Sequence, residues 1–171
     1  MSIKPIVTIP KETYGEPHPL RKPCHPVTDF GGKFQQELGD LIDTFWSHNV
    51  AIGLAAPQIG IPLRFAIINI ERNREKPMFV IVNPKITNLG AETDTKRESC
   101  MSFPPYGGEV KRSKELTLSY QDEHGENKEL HVKGFLARVI QHEVDHLDGF
   151  LYVDRMESIS DLVETDIFDR D

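Results

Sequence analysis

The stretch QHEVDHLDG, residues 141–149, places His142, Glu143 and His146 in the arrangement H-E-x-x-H. On an α-helix, residues four apart are separated by about 6 Å along the axis and about 40° around it, so both imidazoles reach one ion. Glu143 lies about 100° from His142, beside that ion yet free to face a water as a general base. Two histidines are half of a zinc-type site, which needs a third ligand and one open position. The plainer reading is a hydrogen-bonded histidine pair on a core helix.

Residues beyond the motif narrow the source of the third ligand. The pattern H-E-x-x-H-x-x-G-x-x-H matches through Gly149, but Tyr152 stands where its last histidine belongs, so that reading fails at a ligand. A downstream glutamate, as in thermolysin-like peptidases, leaves Glu157 or Glu164. Both belong to an acidic tail that reads as a solvated face. Upstream, Cys100 lies in Glu98-Ser99-Cys100-Met101-Ser102, followed by Phe103-Pro104-Pro105, a segment too polar and Pro-rich for an ordinary core strand. Alone it reads as a buried inert thiol. In Gly53-Leu54-Ala55-Ala56-Pro57-Gln58-Ile59-Gly60, small residues permit close backbone approach and Gln58 adds an uncharged amide donor. Alone this stretch reads as a tight turn.

The elements that must carry these residues follow from periodicity. Phe135, Leu136, Val139, Ile140, Val144 and Leu147 recur at helical spacing between Gly134 and the stop at Gly149, so the H-E-x-x-H motif sits on a largely apolar, buried helix. A second helix is predicted from about Thr28 to Asn49, with Phe34, Leu38, Leu41, Ile42 and Phe45 inward and Gln35, Glu37, Asp40 and Asp43 outward. Strands are expected over 64–70 and 77–82, and a hairpin over 115–120 and 128–133. The Pro-rich segment through Pro26 reads as an extended strap over the surface. The predicted fold class is α+β: antiparallel or mixed sheets wrapped around a central metal-binding helix, with an N-terminal amphipathic helix.

The 171 residues suit one domain, and the acidic tail over 157–171 is expected to form a short helix from Ser158 or Ser160. Net charge of -7 argues against binding nucleic acid or anionic membrane. Neither an apolar signal segment nor a membrane span stands out, and Cys24 and Cys100 read as reduced, so the sequence suggests an intracellular protein.

Taken in order, GLAAPQ, ESCMS and QHEVDH resemble the motifs of the peptide deformylase family, G-x-G-x-A-A-x-Q, E-G-C-x-S and Q-H-E-x-D-H. The resemblance extends from Leu20-Arg21-Lys22-Pro23 through Gly108-Glu109-Val110-Lys111-Arg112 to the run from Phe150 to Met156. It implies that Cys100, His142 and His146 bind one divalent metal ion, Fe2+ in the cell, with Zn2+, Ni2+ or Co2+ able to replace it. It implies Glu143 as proton shuttle, with Gln58 and the Met101 backbone N–H as oxyanion donors. The substrates implied are N-formylmethionyl polypeptides, held along Ile52 and Gly53 with the methionine side chain against Phe135 and Val139.

A transient proximity to the ribosome follows, with the cytoplasm, or an organellar stroma or matrix, as the expected location. Ala51 and Ser99 stand where those motifs carry glycine, and a positive φ at either would cost on the order of 1 kcal/mol. Met101 replaces the common leucine and keeps the backbone donor. Arg138, among the pocket positions, has no assigned role. The competing readings are a gluzincin-like metallopeptidase using Glu157 or Glu164, and a deformylase-derived metal-binding module without the activity.

Overall fold

In the computed structural model, which describes residues 2–165, the elements are α1 (Gly32–Ser47), β1 (Gly53–Ala55), β2 (Phe65–Ile68), β3 (Phe79–Leu89), β4 (Thr93–Ser99), β5 (Tyr106–Ser113), β6 (Glu115–Gln121), β7 (Asn127–Lys133), α2 (Gly134–Asp148) and β8 (Val163–Glu164). Five strands pair in the order β1-β2-β3-β6-β7 and three in the order β4-β5-β8, every strand pair antiparallel. The fold is therefore α+β, with antiparallel sheets and two α-helices.

Strand geometry explains why the central strands are continuously apolar. Successive side chains point to opposite faces, so Phe65 and Ile67 pack with Phe34, Leu38, Leu41 and Phe45 of α1. Ala66 and Ile68 turn to the other face, against Ala137, Ile140, Val144 and Leu147 of α2. A strand buried on both faces has no polar alternation to display. Gly149 ends α2 at φ 84°, where a Cβ would also stand 2.6 Å from Arg21 O, so both backbone conformation and space require glycine. A third cluster, with Ile9, Leu20, Phe103, Val110, Leu151, Tyr152 and Val153, beds Cys100.

Three expectations are corrected, and two strands appear that the periodicity did not predict. The Pro-rich strap is not merely superficial: Ile9 and Leu20 are buried, and the N–H groups of Val7 and Ile9 donate to Gln58 O (2.8 Å) and Ser102 O (2.9 Å). It braces two loops of the candidate site. Asp40 turns inward, accepting from Ser2 N at 2.6 Å instead of facing solvent. The polar residues 93–99 and 106–113 form β4 and β5, which carry no simple apolar alternation because Glu98 and Arg112 are themselves buried.

In the tail, Ser158 accepts from Ser160 N and starts only a 3-10 turn over Ile159–Asp161. The open edge of β5 then captures Val163–Glu164 as β8, and residues 166–171 of the expected helix lie outside the described residues. Among the described residues no helix is long and apolar enough to cross a membrane.

Candidate metal centre

The turn after β4 and two consecutive turns of α2 bring Cys100, His142 and His146 together, one ligand atom from each lying within 4.8 Å of the others. Cys100 Sγ is 3.2 Å from His146 Nε2, and the two imidazole centroids are 4.9 Å apart. Sulfur and imidazole nitrogen at this spacing match the donor set and size of a first-row divalent ion site, whose ligand bonds are about 2.0 to 2.3 Å. Glu157 and Glu164 are exposed and stand outside this group, so no downstream glutamate converges with the histidines.

His142 is oriented from behind. Its Nδ1 lies 3.0 Å from Glu98 Oε2, which turns Nε2 toward the cluster, the carboxylate–histidine arrangement that fixes metal-binding imidazoles. Its ring stacks on Tyr152 at 6.4 Å and 13°, and the Tyr152 hydroxyl donates to Tyr106 O at 2.9 Å. The residue at the missing-histidine position of the rejected motif therefore packs against His142 instead of joining the cluster.

Electrostatics divide the buried acids into two kinds. Burial would raise Glu98, but hydrogen bonds from His142 and Arg112, together with their charges, hold its carboxyl well below the usual carboxylate range. Glu143 has no such partners: burial raises it to about 7 despite the opposing His142 charge, and its Oε2 is buried without a hydrogen bond. His146 is pushed well below the ordinary histidine range by burial and by the His142 and Arg112 charges, which favours a neutral imidazole able to bind a cation.

Gln58, in a 3-10 turn over Ala56–Ile59, has a fixed amide direction. Its Oε1 accepts from Ala55 N at 2.9 Å, while Nε2 faces Ser102 Oγ at 3.1 Å and Cys100 Sγ at 3.5 Å. The Met101 N–H has no hydrogen-bond partner among the described residues. Two donors thus border the thiol, one held in place and one open.

A cavity of about 340 Å³ opens beside these groups, lined by Ile52, Gly53, Gln58, Cys100, Met101, Phe135, Val139, His142 and Glu143. Every residue assigned to the site from the sequence lines it except His146, which is buried behind. Ala51 and Ser99 also line it, and neither has a positive φ, so the absence of glycine there strains no backbone. Sequence reasoning missed the roles of Glu98 and Tyr152. The only signal available was an acid two residues before the candidate cysteine and an aromatic at a failed ligand position.

The chain matches the family model described as polypeptide deformylase over residues 3–161. It is 39% identical over 162 residues to a peptide deformylase of Bartonella tribocorum, covering 93% of this chain and 87% of that one. The crystal structure of the peptide deformylase from Thermotoga maritima superposes with a TM-score of 0.81 at 35% identity, covering 92% of this chain and all of that one. A Met-Ala-Ser-bound peptide deformylase of Acinetobacter baumannii gives 0.81 at 30% identity, covering 91% of this chain and 100% of that one.

Proposed function

The chain belongs to the polypeptide deformylase family, and from that premise we propose how its residues remove the formyl group from the N-terminal formyl-methionine of new polypeptides. The reaction consumes water and yields formate and a free amine; it hydrolyses a terminal formamide rather than a bond within the peptide chain. The observation that carries the reading is the convergence of Cys100, His142 and His146 beside the unpartnered Glu143 carboxylate oxygen.

In this reading Cys100, His142 and His146 hold one divalent ion, Fe2+ in the cell, with Zn2+, Ni2+ or Co2+ accepted by the same donors. Bound there, the ion supplies Lewis-acid polarisation and makes water nucleophilic near neutral pH. Glu143 takes the proton of the attacking water and returns it to the substrate nitrogen as the carbon–nitrogen bond breaks. Its buried carboxylate, with Oε2 free of hydrogen bonds, is placed at the cavity to make both transfers. Gln58 Nε2 and the Met101 N–H donate to the formyl oxygen as its negative charge develops.

The peptide lies extended along Ile52 and Gly53. Strand β1 is the terminal strand of its sheet, so its outer edge offers backbone groups to varied sequences. Phe135 and Val139 give the methionine side chain an apolar wall. Residues 1–171 act as one catalytic unit, the sheets wrapping α2 and the amphipathic α1 backing the larger sheet. The substrates place the protein in transient proximity to ribosomes, in cytosol or an organellar stroma or matrix, with no contact to nucleic acid or membrane required.

The test is formate release from formyl-Met-Ala-Ser and acetate release from acetyl-Met-Ala-Ser by anaerobically purified protein. Turnover of the formyl peptide alone is expected. Retained metal with no formate release would favour the inactive binding module instead.

A further inference from the structure

The proposed metal ligands come from two elements with little direct backbone contact: β4 leads into Cys100, while α2 carries His142 and His146. Arg138, one turn before His142, reaches across this gap and is itself buried. Its Nη1 donates to Glu98 Oε1 at 2.7 Å and to Val110 O at 2.9 Å; its Nη2 donates to Asp94 Oδ1 at 2.7 Å and Asp94 O at 2.9 Å. Asp94 and Glu98 are four residues apart on a strand, so both project to the same side and one guanidinium holds both.

Glu98 passes this grip to the ligands. Its Oε1 accepts from Arg112 Nε at 3.0 Å as well as from Arg138, and its Oε2 lies 3.0 Å from both Arg112 Nη2 and His142 Nδ1. Every acceptor position of the carboxylate is filled, so Glu98 has one orientation. Arg112 makes a neighbouring tie, from β5 to Asp145 of α2 at 2.5 Å. Arg138 is the residue of α2 that holds two side chains of β4.

We infer that Arg138 is a positioning residue that staples β4 to α2 through Asp94 and Glu98 and thereby sets the spacing between the Cys100 sulfur and the two imidazoles. The ordering of the three ligands is then completed on folding, before any ion arrives, and a slack staple lets Cys100 drift from the histidines. The inference rests on the ligand assignment above and extends it to a residue at the cavity wall whose guanidinium hydrogen bonds all go to β4 and β5. A buried ion pair of purely structural value would alter the melting temperature and leave the ion affinity of the folded protein unchanged.

The experiment titrates metal-free protein with Co2+ and follows the thiolate-to-cobalt charge-transfer band in wild type, Asp94→Asn, Arg138→Lys and Cys100→Ala. Wild type is expected to develop the band and Cys100→Ala to lack it. Arg138→Lys keeps the charge but cannot hold both acids, and Asp94→Asn weakens the strand-side grip at a partly exposed position. Both should remain folded by circular dichroism yet bind Co2+ about 10-fold or more weakly, the scale of losing an outer-shell support. For Asp94→Asn, which lies outside the cavity lining, kcat should fall while KM for formyl-Met-Ala-Ser holds.

A wild type without the band overturns the ligand assignment. A wild type with the band, beside an Asp94→Asn protein whose Co2+ affinity stays within about twofold, overturns the staple alone. If Arg138→Lys does not fold, Asp94→Asn decides.

Discussion

Gly53 and Glu143 share one space: a Cβ on Gly53 would stand 2.3 Å from Glu143 Oε1 and 2.9 Å from its Cδ. The edge strand β1 and helix α2 therefore meet where one residue has no side chain, and the carboxylate fills the place. Gly53 is not at a positive φ, so its absence of a Cβ matters here for space rather than for backbone freedom. Gly53→Ala must push the Glu143 carboxylate aside. Formate release should fall at least 10-fold while metal content, measured by atomic emission, stays at the wild-type level, since no proposed ligand is touched.

Gln58 should affect the barrier more than the ion. Replacing it with Leu removes the proposed oxyanion donor, a group typically worth about 3 to 4 kcal/mol, so kcat should drop by roughly 10² to 10³. Metal content should change less than twofold, on the scale of about 0.4 kcal/mol. Steady-state kinetics with parallel metal analysis separates these effects, and equal losses in both would reassign Gln58 to holding Cys100.

The stop of α2 supplies a stability prediction. Gly149 combines φ 84° with an Arg21 carbonyl 2.6 Å from where a Cβ would stand. Gly149→Ala should lower unfolding free energy by more than about 1 kcal/mol, because left-handed conformation alone costs roughly that much for an L-residue. Urea denaturation measures it. An unchanged midpoint would mean that the Arg21 segment yields freely.

Cys24 should be a slow nucleophile. Burial raises its thiol to about 11, with the Arg64 charge opposing and the Asp148 charge assisting. The folded thiol therefore becomes reactive only as pH rises toward that value, and at pH 8 about one molecule in 10³ carries the thiolate. Iodoacetamide labelling followed by mass spectrometry should show Cys24 largely unmodified at pH 8 and modified after unfolding. Rapid labelling of the native protein at pH 8 would contradict this.

The parts legible from sequence share a physical property: their signals are local. The H-E-x-x-H spacing and the apolar period of residues 135–147 both belong to one helix, and the structure gives that helix as Gly134–Asp148. The hairpin around Asp122 to Gly125 was readable for the same reason, its strands flanking their own turn. Strands β4 and β5 escaped because their inward residues include Glu98 and Arg112, which satisfy each other across the sheet, 14 positions apart. Burial purchased by such pairing leaves no hydrophobic periodicity. The site shows the same division: its motifs announced the three proposed ligands and Glu143, whereas Glu98, Tyr152 and Arg138 acquire their roles only through contacts between distant segments.

The central claim is that Cys100, with the two histidines, holds the ion while Glu143 moves the proton. The most direct measurement is metal content and formate release from formyl-Met-Ala-Ser, taken together on wild type, Cys100→Ala and Glu143→Ala. Cys100→Ala is expected to lose both metal and activity, and Glu143→Ala to keep its metal while formate release falls by at least about 10². A Glu143→Ala protein with full metal and full activity, or a Cys100→Ala protein that still binds the ion as wild type does, would contradict the account.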